Sequence, residues 1–146
     1  MAARAGRLII PGFILGAIIR IVLLPLPGTP DVGSWKTWSF AASTDATSLY
    51  GVGGNPPQRR LMNWRGIQST TEYPPLALYE LAIAGRVYAA IDPSFADSRV
   101  LTVLVKMPGI LAEMAVVFAL VVWGRKVLGA PAAIWAALAI WLNPAV

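Results

Sequence analysis

Residues 101–123 read LTVLVKMPGILAEMAVVFALVVW, with Lys106 and Glu113 the only charges. A helix of this length rises about 1.5 Å per residue and reaches about 35 Å, enough to cross a hydrocarbon core of about 30 Å. A charged side chain at mid-membrane costs about 3 kcal/mol on insertion scales, so both residues require a reason to be there. Seven positions apart, they share a helix face but are separated by about 10 Å along the axis. The expectation is that they line a common cavity or meet partners on other helices, with Lys106 near enough to the outer end to snorkel.

The rest of the chain fits a bilayer. Of its 146 residues, 57% are hydrophobic and 13% charged, with a mean hydropathy of +0.64; so few solvating groups do not cover a water-soluble globule. The net charge of +5 is read as membrane orientation and not as nucleic-acid binding, because the basic residues flank apolar runs. The sequence has no Cys and no His, which removes disulfides, thiolate metal sites and the commonest general base. Acid or base chemistry is left to carboxylates, Lys and Tyr, and no metal cluster or cofactor motif is evident in the sequence.

Leu8–Leu24, apolar apart from Arg20, reads as a first span and not a cleaved leader, since Pro25 and Pro27 stand where a small-residue cleavage site would be sought. Residues 130–146 begin a third span, and the sequence stops inside it, so the chain reads as the N-terminal part of a longer protein. Arg4 and Arg7 precede the first span and Arg125 and Lys126 follow the second. The positive-inside rule puts both pairs in the cytoplasm and residues 25–100 outside. Residues 75–91 are helical in pattern but short, and carry Glu80, Gly85 and Arg86. A crossing there would invert the later charges, so they are expected to form a helix lying at the outer interface. A second interfacial helix is expected at about 34–48, then a Gly/Pro break from Gly51 to Pro57 and a polar connector from Gln58 to Glu72. The fold class is therefore an all-α polytopic membrane protein with a large extracytoplasmic first loop containing juxtamembrane helices.

Within that loop, Asp31 follows the first span by seven positions and is tethered near the headgroup layer, although Thr29-Pro30-Asp31 equally reads as a helix start with a capping Asp. Glu72 and Tyr73 precede Pro74 and Pro75, which fix the backbone and open a helix. Trp35, Trp38, Trp64, Tyr50 and Tyr73 suit the headgroup level. Arg59, Arg60 and Arg65 form a basic cluster able to hold an anionic headgroup or simply to face solvent.

In order and spacing these features resemble the GT-C superfamily of membrane glycosyltransferases, which use polyprenyl-phosphate-glucose or polyprenyl-phosphate-mannose. Asp31 and Trp38 have six residues between them, Tyr73-Pro74-Pro75-Leu76 follows an acidic residue and is followed by Tyr79, Lys106 and Glu113 again have six residues between them, and an aliphatic segment ends in Leu142-Asn143-Pro144. Lys106 and Glu113 stand where Arg and Asp are commoner in that superfamily. The resemblance implies a hexosyltransferase, acting on glucose or mannose carried by a polyprenyl phosphate, with the active loop outside a bacterial cytoplasmic membrane. It implies Asp31 as general base on an acceptor hydroxyl of a glycan, lipid or protein, and Trp38, Glu72 and Tyr73 shaping the pocket. Arg59, Arg60 and Lys106 are then candidate partners of the leaving phosphate, with Glu113 facing the substrate region. Two other readings remain open from the residues alone. One is a transporter or flippase using Lys106 and Glu113 as a substrate path, the other a noncatalytic membrane subunit.

Overall fold

The computed structural model describes residues 2–50 and 60–143, with side chains from Ile9 onward except that of Ser48. The Gly51–Pro57 break, Arg59 and Pro144 lie outside the described residues. The described chain is mostly helical and forms two compact units, residues 1–24 with 109–146, and residues 25–108.

Among the described residues one helix is long and apolar enough to cross a membrane. It comprises α4 (Arg99–Ala119), a π-helical turn (Leu120–Gly124) and α5 (Arg125–Leu128), 30 residues in all with a mean hydropathy of 2.0. It extends beyond the expected 101–123 because its ends are set by backbone capping, which does not follow hydropathy. At the start the Leu101 amide donates to Ser98 Oγ at 3.2 Å and the Thr102 amide to the Ser98 carbonyl at 3.1 Å, an N-cap arrangement. At the end Gly129 adopts φ +80°, a conformation that stops a helix at little cost only for glycine. Leu111, Phe118, Trp123 and Val127 are exposed along it.

The other expected spans are shorter apolar helices, Ile9–Leu23 within α1 (Ala2–Leu23) and α6 (Ala130–Trp141), about 22 and 18 Å long at the helical rise. In the first unit these two pack together. Gly12 and Gly16, one turn apart on α1, face Leu138 and the Trp141 ring, and a Cβ on Gly12 would sit 2.8 Å from Leu138 Cδ1. One further turn along α1, Arg20 grips both oxygens of Glu113, with Nε at 2.8 Å from Oε2 and Nη2 on Oε1. Arg20 also donates to the Gly16 and Trp141 carbonyls, and its guanidinium carbon lies 4.1 Å from the centre of the Trp141 ring. Trp141 in turn donates its indole N–H to the Phe13 carbonyl at 2.8 Å. Glu113 is 4% exposed, so the isolated-charge problem posed by Arg20 in one apolar helix and Glu113 in another is answered by their bidentate pairing.

The second unit is built on α2 (Pro30–Asp45) against α3 (Pro75–Ile91). α3 has the expected bounds, opened by Pro75 at its first turn. α2 begins four residues before the expected 34, because Pro30 presets the helical φ at the first position and Asp31 meets the positive end of the helix dipole. A 3₁₀ turn (Thr47–Tyr50) follows it. The expected polar connector contains a hairpin of β1 (Leu61–Trp64) and β2 (Ile67–Thr70), antiparallel with Leu61 opposite Thr70 and Trp64 opposite Ile67. Arg65 and Gly66 both have positive φ, 50° and 83°, the geometry of a two-residue hairpin turn that matches strand twist. Asn63 Oδ1 accepts from the Gly66 amide at 3.2 Å. Met62 and Trp64 point into the core, joining Trp38, Leu78 and Phe95.

Asp92 organises the exit from α3. Its Oδ1 accepts from the Ser94 hydroxyl at 2.7 Å and amide at 3.0 Å, and its Oδ2 accepts from the Ala96 amide at 3.1 Å. The Ser94 hydroxyl, aided by the Ala96 and Ser94 amides and the Tyr88 phenol, holds the carboxyl below the usual carboxylate range, more than offsetting its desolvation. A carboxyl whose folded pKa is depressed adds stability above its unfolded pKa and loses it as pH falls through the folded value.

Two outcomes follow for thermal unfolding of the full-length protein in detergent. Glu113→Gln leaves the Arg20 charge without its counter-ion and is expected to cost about 3–5 kcal/mol, whereas the double replacement Arg20→Met with Glu113→Met recovers most of the loss; equal losses in single and double variants would mean that the pair is not coupled. Asp92→Asn is expected to lower stability at pH 7 and to shrink the loss on acidification below about pH 4, and an unchanged acid limb would remove Asp92 from it.

Candidate functional site

The first two turns of α2 place Asp31, Ser34, Trp35 and Trp38 at i, i+3, i+4 and i+7, one stripe of a helix. The segment Gln68–Tyr73 passes over that stripe, and together they enclose a cleft of about 520 Å³ lined by Asp31, Ser34, Trp35, Trp38, Gln68, Ser69, Thr70, Glu72 and Tyr73. The Tyr73 ring stands edge-on to Trp38, centroids 5.1 Å apart and planes at 67°, an arrangement worth about 0.5–1.5 kcal/mol beyond burial. The backbone is fixed at the same point, since the Tyr50 hydroxyl donates to the Tyr73 carbonyl at 2.7 Å and two prolines follow. Burial, with a smaller contribution from the charge of Tyr79, pushes the Tyr50 phenol above its usual value, which favours the protonated, donating form.

The two carboxylates are unengaged. Among the described residues neither Asp31 nor Glu72 has a hydrogen-bonding or ionic partner, and both are exposed. Thr29 occupies the N-cap position of α2 and Asp31 its first turn, with no side-chain cap bond. Two polar atoms in and beside the cleft wall, Trp38 Nε1 and Thr71 Oγ1, are buried without a hydrogen-bond partner among the described residues. Each such group costs about 1–3 kcal/mol of desolvation. A carboxylate free to accept is what a general base requires, while Gln68, Ser34, Ser69 and Thr70 add donors and acceptors around it.

Of the residues selected from the sequence, the fold brings Asp31, Trp38, Glu72 and Tyr73 to this cleft and leaves the others elsewhere. Lys106 Nζ donates to the Leu26 carbonyl at 2.6 Å and lies against Gly28, whose φ of +77° turns the chain there. Glu113 is held by Arg20 in the first unit. Arg60 is exposed at the entry to β1, and Arg59 falls outside the described residues. Ser34 and Trp35 lie at helical spacing from Asp31 and were open to detection by that period. Gln68, Ser69 and Thr70 had no local signal beyond Gly66. No family model, curated protein or solved structure matches this chain.

Proposed function

We propose that the protein is an integral-membrane glycosyltransferase of GT-C type, transferring glucose or mannose from a polyprenyl-phosphate donor to an acceptor hydroxyl outside the membrane. One observation carries this reading: Asp31, Trp38, Glu72 and Tyr73, distant in sequence and picked out by their order, line one cleft. In the proposed reaction the acceptor oxygen attacks C1 of the sugar, the bond from C1 to the phosphate oxygen breaks, and Asp31 takes the acceptor proton. Polyprenyl phosphate leaves, for which Lys106, Arg59 and Arg60 are candidate cationic partners. Trp38 and Tyr73 hold the reacting groups in register, and Glu72 accepts a sugar hydroxyl. Glu113 enters as the counter-ion of Arg20, which removes it from an open substrate path and weakens a transporter reading.

The proposed setting is a multi-pass chain in which α1, α4 with α5, and α6 belong to spans. The exposed stripe Leu76, Tyr79, Ile83, Val87 and Ile91 on α3 supports an interfacial placement, its opposite face being covered by Leu78, Leu81, Ala82, Gly85 and Tyr88 packed within the unit.

In the full-length protein, Asp31→Asn is expected to lower hexose transfer by about 10²–10⁴-fold while membrane insertion is unchanged; retention of full activity would remove the base. A cysteine placed by Ser94→Cys is expected to react with an impermeant maleimide added outside intact cells. Reaction from the cytoplasmic side alone would mean that residues 75–91 cross.

A further inference from the structure

Among the described residues the cleft is lined by two carboxylates, three aromatic rings, three aliphatic hydroxyls and one amide, and by no Lys or Arg. That inventory sets which half of a transfer reaction it suits. A sugar joined to phosphate brings its negative charge with it and needs cations at once, whereas a wall bearing Asp31 and Glu72 repels an anion. The neutral partner fits here.

The chemistry of the wall narrows that partner further. Gln68 offers an amide with both donors and an acceptor, Ser34, Ser69 and Thr70 each donate and accept, and the two carboxylates accept only. A polyprenol has one hydroxyl and would leave most of these groups unmatched, and a quaternary ammonium would use the rings and carboxylates but neither amide nor hydroxyls. A ring with apolar faces and a rim of hydroxyls matches the aromatic rings, the carboxylates, the hydroxyls and the amide together. The volume of about 520 Å³ lies within the range of small-ligand sites, about 300–1,000 Å³. Tyr73, 42% exposed, presents aromatic surface to an occupant, while β2 is held in register by its pairing with β1 and supplies Gln68–Thr70 from a fixed backbone.

We infer that β2 is the acceptor-selecting wall of the cleft and that the acceptor is a carbohydrate, with Gln68 as a specificity-determining contact to its hydroxyls; this rests on the transferase reading of the same cleft. A site built to hydrogen-bond a hydroxyl discriminates strongly against a ligand that lacks it, because its own polar groups are then left unmatched.

The test uses the full-length protein in nanodiscs, with methyl α-mannopyranoside and methyl β-glucopyranoside as probes and a Ser/Thr-containing peptide and choline as controls. Saturation-transfer NMR and tryptophan fluorescence report binding. Gln68→Ala is expected to weaken binding of a methyl glycoside about tenfold or more and to raise KM for a sugar acceptor with kcat little changed. Gln68→Glu, which keeps the shape and loses the donors, is expected to fall between. Unaltered far-UV dichroism checks the hairpin in both. Glycoside binding that is absent in the wild type or indifferent to Gln68, or a cleft that takes choline or the peptide instead, would overturn the assignment. Transfer that depends on Asp31 but not on Gln68 removes the wall and keeps the transferase. Glycoside binding that depends on Gln68, without transfer that depends on Asp31, keeps the wall and its ligand and removes the transferase.

Discussion

α3 meets α2 at Gly85, where any side-chain carbon would collide with the Ser39 carbonyl, and Ala42, Ala82 and Ala84 keep the neighbouring positions small. Two backbones this close gain dispersion over many atom pairs, each worth about 0.1–0.2 kcal/mol. The larger consequence is positional. α2 carries Asp31, Ser34, Trp35 and Trp38, and Tyr73 stands two residues before α3, so the close docking of α3 on α2 fixes where Tyr73 meets that stripe. Pro74 and Pro75 keep that placement from being lost in a flexible joint, and the Tyr50 hydroxyl anchors Tyr73 from the far side.

Charges in apolar helices are resolved in two different ways. Arg20 and Glu113 neutralise one another, and two further guanidinium donors go to the Gly16 and Trp141 carbonyls, so four of the five guanidinium N–H groups are bonded where the charge is desolvated. Among the described residues Lys106 meets no carboxylate and instead donates to the Leu26 carbonyl in the turn that leads into α2. A seven-residue spacing puts Lys106 and Glu113 on one helix face. The spacing carried no information about Arg20, whose contact with Glu113 is 93 residues away in sequence.

Helical elements were legible where the signal was local. Pro75 and the apolar period after it located α3, while Thr29-Pro30-Asp31 marked the entry to α2 even though the helix begins earlier than its apolar residues suggest. Half of the cleft was legible for the same reason, because Asp31 and Trp38 lie on one helix and Tyr73 beside a proline pair. The hairpin was not. Its strands are four residues each, too short for alternation to register, and its turn places Arg65 at positive φ where Asn or Asp would have flagged it. Met62 and Trp64 are in the core through tertiary contact, including the Trp64 indole bond to the Phe95 carbonyl at 3.3 Å, and β2 is carried over α2 only as a result.

α2 therefore separates two kinds of surface. Asp31, Ser34, Trp35 and Trp38 form the acidic and aromatic side, whereas Val32 and Lys36 lie on another side, where Lys36 is buried and bonded to Asp97 at 2.7 Å. Lys106 joins that second side, since the position a Gly28 Cβ would take is 3.1 Å from Val32 Cγ2 and 3.2 Å from Lys106 Nζ. Among the described residues the cations lie away from the carboxylates and leave Asp31 and Glu72 unpaired, and an unpaired carboxylate can accept a proton or a hydroxyl where a salt-bridged one is already occupied. In the proposed transfer this separation matters as much as the residues themselves. A base and a phosphate-binding cation placed on the same side would neutralise each other before either met its substrate.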